Sequence, residues 1–262
     1  MVCFAAPLNQ IEATAPKCAK NTLRHLFTPR SEIPFAGHPN VGTAVVLARE
    51  LEATGGKSID RFVFEEGAGL VPMGLLRREG AVVGAELQAP ERLSVRSSLS
   101  VDDAAACLSL RPEDIVVVTH PPQVVSVGLP FLVAEVGSRD ALRRAAPDLL
   151  AHRRVLPPVD TCAIFAYARG TVAEDLYARM FAPLDAILED PATGSATAAT
   201  IALLAALRPE RDAEVRWRVE QGVDMGRPSL LLGRTEKRGG VVSAVYVAGQ
   251  AVPVMRGQLQ MG

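Results

Sequence analysis

An α+β fold built from two similar halves is what this sequence predicts, and three observations predict it. The first is a repeated motif. "LFTPRSEIPFAGHPNVGTAVVLA", from Leu26, and "MFAPLDAILEDPATGSATAATIALLA", from Met180, both open on an apolar residue, Phe, a small residue and Pro. Both later carry a titratable residue, Pro, two variable residues, Gly, a hydroxyl residue and Ala. His38-Pro39 therefore pairs with Asp190-Pro191, and Gly42-Thr43-Ala44 pairs with Gly194-Ser195-Ala196, at one constant interval. The second observation is a shared succession after each copy: an alanine-rich helical stretch, then a strand, a glycine turn, a second strand, a polar turn and a third strand. The third is composition. With 48% hydrophobic and 22% charged residues over 262 positions, the chain has an ordinary globular balance and the length for two core-bearing units. A repeat this long is a duplicated domain, since solenoid units run about 20–50 residues.

"MVCFAAPLNQ" lacks both a basic start and an apolar h-region, so no signal peptide is expected. "ATAPKCAKNTLRHL", from Ala13, carries Pro and Lys and little β character. After the first motif, Thr43 to Arg49 reads as a first helical turn, and "FVFEEGAGLVPMGLLRREGAVVGAEL" alternates as strands do. "WRVEQGVDMGRPSLLLGRTEKRGGVVSAVYV" comes after the second motif in the same way, with Gln221-Gly222 in register with Glu66-Gly67. "APERLSVRSSLS" has Pro, Ser and charge without an apolar period, so the connection is expected between Pro90 and Leu110. The halves are accordingly 1–100 and 101–262. "SVGLPFLVAEV", from Ser126, reads as a strand pair around a Gly-Leu-Pro turn, and "DTCAIFAYAR", from Asp160, as another strand. Trp217 reads as packing. Arg227, beside Pro228, reads as a turn residue, with a carboxylate contact as the alternative.

Charge and cysteine usage narrow the function. Twenty-eight basic against 29 acidic side chains leave no basic patch, which argues against nucleic acid and acidic membranes and for a small molecule. No run of about twenty apolar residues is present, so no membrane span is expected. Cys3, Cys18, Cys107 and Cys162 are scattered, as are the four histidines. That spacing fits a reducing cytoplasm and gives no metal knuckle.

Both motifs place glycine at a helix entrance. Helix starts offer unpaired N–H groups and a positive dipole end, and glycine lets an anionic ligand approach them. Two such entrances from related halves, facing across a cleft, would oppose the imidazole of His38 and the carboxylate of Asp190 over a substrate. That pairing suits proton movement. The bland alternatives are a loop-capping role for His38 and ordinary N-caps at Asp190 and Ser195.

"FTPRSEIPFAGHPNVGTA", "EDPATGSA" and "QGVDMGRPS" together resemble the phenazine-biosynthesis PhzF-like isomerases, from about Leu8 to the C-terminus. The resemblance implies a diaminopimelate epimerase-like fold, in which each half is a curved, mainly antiparallel sheet around a central helix, and a homodimer. It further implies a cofactor-free proton shift on a small carboxylate, a cyclic dihydro-hydroxyanthranilate in the best-known members. By the same resemblance His38 and Asp190 assist the transfer, and Gly37, Gly194 and Ser195 help hold the substrate. The family's acid/base glutamate lies upstream, where "LNQIEATAP" offers Glu12; Glu32, the competitor beside the motif, reads as structural. Typical members begin earlier, with a strand, a Gly-Asn-Pro loop and a helix. The first half is therefore expected to lack that piece, with an unpaired sheet edge that invites dimerisation. Two rivals remain: a two-cysteine racemase of the same fold, disfavoured because neither motif contains Cys, and a non-catalytic metabolite-binding scaffold.

Overall fold

Alternation of apolar and polar residues does produce the expected strands. The structure, a computed structural model, describes residues 2–5, 21–172 and 175–257. Strands β1 (Val2–Ala5), β2 (Asn21–Phe27) and β3 (Glu32–Ile33) precede helix α1 (His38–Ala53), and β4 (Arg61–Glu66), β5 (Gly69–Arg78) and β6 (Ala81–Gln88) come after it. After β6 come β7 (Ser94–Ser98), α2 (Val101–Cys107), β8 (Ile115–Val116), β9 (Gln123–Ser126) and β10 (Pro130–Val136). Next come α3 (Arg139–Arg144), α4 (Leu149–Val155), β11 (Ile164–Arg169), β12 (Asp175–Ala182) and β13 (Ile187–Asp190). The chain then repeats its earlier order: α5 (Gly194–Leu207), β14 (Ala213–Gln221), β15 (Ser229–Arg238) and β16 (Val241–Gln250).

The two meanders, β4-β5-β6 and β14-β15-β16, are antiparallel and join edge to edge where β16 pairs with β6. One hydrogen-bonded path thus runs from β1 to β7. Parallel pairs β2/β4, β10/β11 and β12/β14 interrupt the antiparallel pattern. Each motif helix supplies the core under its own meander. In α1 the buried residues Val41, Ala44, Val45 and Ala48 keep helical spacing along one face. In α5 every residue from Gly194 to Ala205 is buried, as an alanine-rich helix enclosed on all sides requires. A second cluster, around Leu132, Ile164 and Phe181, seats α2, α3 and α4 on the opposite face of β10 and β11.

Two expectations are corrected. The residues ahead of the first motif predict little β structure, yet Asn21–Phe27 is a strand lying parallel to β4. Its local propensity is weak, but burial decides it: Leu26 enters the core, and the guanidinium of Arg24 lies 4.3 Å over the Phe64 ring. The Pro90–Leu110 connection likewise holds a strand and a helix. β7 pairs with β9, and Ser100 caps α2 by accepting from the Asp103 N–H. Trp217 packs as expected, 3% exposed, with its indole N–H donating to Thr235 at 3.0 Å.

Candidate active site

The chain entering each motif helix is held differently, and the difference builds the site. α1 starts at His38, with Gly37 as its N-cap, whereas α5 starts only at Gly194, after Thr193. Gly42, the partner of Gly194 in the sequence repeat, therefore lies inside α1, and Thr43 falls in the second turn. In space the partner of Gly194 is Gly37. A Cβ on Gly194 would come within 2.9 Å of the Gly37 Cα, and one on Gly37 within 2.8 Å of the Gly194 N. The two helix entrances touch through bare backbone.

This contact brings His38 beside Asp190 rather than opposite it. Their Nδ1 and Oδ2 atoms are 3.8 Å apart. The shorter partner of Nδ1 is the Ala192 carbonyl, at 2.6 Å. A carbonyl only accepts, so Nδ1 carries the proton, and Nε2 is the nitrogen left for chemistry. The expected arrangement, imidazole and carboxylate on opposite sides of a substrate, is replaced by a contiguous pair on one wall. Asp190 itself is buried and accepts from the Thr193 hydroxyl at 2.7 Å. Gln221 completes that turn: its amide N–H groups donate to the Asp190 carbonyl and the Thr193 hydroxyl, and its carbonyl accepts from the Thr193 N–H. The polar groups that hold this buried turn are thereby paired with one another, as burial demands.

The pair lines a cleft of about 400 Å³ together with Gly37, Thr193 and Ser195. Apolar Ile33, Leu129, Phe131 and Met180 line it together with the acidic Asp160 and Asp185. Ser195, in the first turn of α5, is 3% exposed. Gly194 lies behind, lining a separate groove between α1 and β16. Ser31 donates to Asp185 at 3.4 Å, while burial pushes the Asp185 carboxyl above its ordinary range. Glu32 lines the cleft but is taken by His25, 2.7 Å away on the exposed side of β2. Of the four histidines only His38 reaches the cleft. His120 is buried against Tyr167 and His152 against the Cys107 carbonyl.

One cleft residue carries no sequence signal. Cys162 sits on the cleft wall, although neither motif contains a thiol. Burial, with Asp185 and Asp160 nearby, raises its pKa, which keeps it a protonated thiol and a weak nucleophile. Cys107 is buried away from the cleft and pushed up to about 12 by the same desolvation. Glu12, the expected acid/base residue, lies outside the described residues, as does Cys18. Arg227 donates its backbone N–H to the Gly222 carbonyl at 2.9 Å, closing the turn between β14 and β15, and its side chain borders a shallow cavity beside His38.

Residues 12–257 match the family described as "Phenazine biosynthesis-like protein". The chain belongs to this family. It is 34% identical over 233 residues to the trans-2,3-dihydro-3-hydroxyanthranilate isomerase of Pseudomonas aeruginosa, covering 89% of this chain and 77% of that protein. It is 35% identical over 248 residues to an uncharacterized isomerase of Mesorhizobium japonicum, covering 92% and 80%. Among solved structures, a predicted epimerase of Pseudomonas aeruginosa superposes with a TM-score of 0.74 at 25% identity, over 99% of this chain and 84% of that one. A probable proline racemase from Agrobacterium radiobacter, at 12% identity and a TM-score of 0.61 over 96% and 75%, shares the fold. The epimerase-like α+β architecture and the isomerase class expected from the motifs both accord with family membership. No helix among the described residues is long and apolar enough to cross a membrane.

Proposed function

We propose that the cleft moves a proton between two carbons of a small carboxylate-bearing substrate, without a cofactor, and that a dihydroaromatic ring acid is the substrate class. The observation that carries this reading is the junction of the helix entrances at Gly37 and Gly194. It sets the His38–Asp190 pair and Ser195 on a cavity whose lining also includes Ile33, Leu129, Phe131 and Met180. Backbone N–H groups at a helix start favour an anion, and the apolar side chains favour a ring. His38, with its Nδ1 proton held by Ala192, presents Nε2 to the substrate, and Asp190 supports a developing imidazolium. The name of the Pseudomonas aeruginosa relative supports the dihydroaromatic class.

Glu12 is the proton carrier in this reading, on the strength of the resemblance and of Glu32 being engaged by His25. A homodimer in the cytoplasm is the form in which we expect it to act. The test is proton exchange on trans-2,3-dihydro-3-hydroxyanthranilate in deuterated buffer, followed by NMR. Loss of the acid/base group is expected to slow exchange by about 10²–10⁴-fold in Glu12→Gln, with Glu32→Gln close to wild type. Equal exchange by Glu12→Gln and wild type would remove Glu12 as the base. Binding without exchange by the wild type would instead favour a metabolite-binding homologue.

A further inference from the structure

The last residues of β4 and β14 occupy the same place in the two halves, and each lies under the turn that leads into its motif helix. On the second side the residue is Gln221, whose three hydrogen bonds fix the Asp190–Thr193 turn. The next residue, Gly222, lies so close under Pro191 that a Cβ would meet the Pro191 carbonyl at 2.8 Å. On the first side the residue is Glu66, 7% exposed. Its neighbour Gly67 lies under Pro34, where a Cβ would come within 3.1 Å of the Pro34 Cα, and the following Ala68 N–H donates to the Pro34 carbonyl at 2.9 Å. Glu66 is approached by the Asn40 side chain and the Ala36 backbone N–H, which bracket Gly37 and His38. Neither Glu66 oxygen and neither polar atom of the Asn40 amide, itself fully buried, completes a hydrogen bond of ordinary geometry. A carboxyl and a carboxamide are thus buried together with pairing capacity to spare.

We propose that Glu66 is a positioning residue: it braces the turn that presents Gly37 and His38, doing with a carboxyl group what Gln221 does with an amide on the other side. A protonated carboxyl, like a glutamine amide, offers a donor as well as an acceptor, though one donor where the amide has two. An ionised one only accepts, so it matches one half of the Asn40 amide and leaves the other unanswered. Burial raises the Glu66 pKa to about 7, against smaller opposing contributions from Asn40, Arg24 and Ala36. Arg24 on β2 is the charged group that acts on it among the described residues; α1 contributes the neutral Asn40, and the turn contributes a backbone N–H. Because the folded-state pKa lies above the ordinary 4.5, the neutral acid's contribution to stability is complete below about 4.5. It is lost as pH rises through about 7.

The effect on turnover rests on the proposed isomerase reading, so the test includes two readouts that need no substrate. In Glu66→Gln the melting temperature is expected to gain on wild type by several degrees more at about pH 8 than at about pH 5. The ring resonance of His38, assigned through His38→Asn in a histidine-labelled sample, is expected to keep its acidic-pH position in Glu66→Gln and to move in Glu66→Leu. With substrate, Glu66→Gln is expected to hold the wild-type exchange rate near pH 6. Glu66→Leu is expected to lose about tenfold or more in kcat while still folded, the cost of misplacing a catalytic group. A melting-temperature gap that stays constant with pH, or a His38 resonance unmoved by Glu66→Leu, would overturn the proposal. Absence of exchange in the wild type would count against the isomerase reading alone, since both substrate-free readouts still decide the role of Glu66.

Discussion

Gly194→Ala is expected to lower the melting temperature by several degrees and turnover by about a hundredfold. The new methyl group would be aimed at the Gly37 Cα, 2.9 Å away, with the Val247 side chain 3.7 Å off. Backbone cannot rotate aside as a side chain can, so the helix entrances must separate. Overpacking of this kind costs about 1–3 kcal/mol. For a chain of this size that is roughly 2–4 °C per kcal/mol. The cost to catalysis is larger, because moving a catalytic group by about 1 Å can lose about 10²-fold in rate. Gly37→Ala should behave alike. Gly42→Ala is the control: a Cβ there meets nothing within 4 Å, and its position inside α1 makes alanine favourable by about 0.5–1 kcal/mol. Scanning calorimetry with steady-state rates on the three variants distinguishes contact from composition.

His38→Ala is expected to reduce kcat by about 10²–10⁴-fold with little change in melting temperature. The side chain is 38% exposed, and its one short bond, to the Ala192 carbonyl, can be replaced by water. Asp190→Asn should preserve the turn, because the new amide oxygen can still accept from Thr193, while removing the charge 3.8 Å from His38. Since the two side chains act on one another, the double variant should fall well short of the product of the single effects. Fully multiplicative losses would mean that they act independently, against a contiguous pair.

The duplicated meander was legible because it lies on the strongest sequence signal. Alternation in Phe62–Glu66, Leu230–Arg238 and Val241–Val247, with glycine turns between, predicts the strands that form. The motif residues His38, Asp190 and Ser195 were also legible, since their residue types recur in one frame. What that frame hid was geometry. Pairing Gly42 with Gly194 is right for the letters and wrong for the space, because α1 begins a turn earlier and hands the contact to Gly37. β2 was hidden because Arg24 and His25 give a weak local preference that burial against β4 overrides. Cys162 was hidden for another reason: its place on the cleft depends on how β11 is entered, which no local pattern encodes. Glu66 was visible only as a register match to Gln221, and its meaning came from the turn above it.

The most direct test of the central claim is isomerisation of trans-2,3-dihydro-3-hydroxyanthranilate by the wild-type chain in deuterated buffer, followed by NMR. Turnover with solvent deuterium appearing at the carbon that receives the proton is the predicted result. A substrate that binds, shown by a raised melting temperature, yet gains no deuterium beyond the enzyme-free control would contradict it.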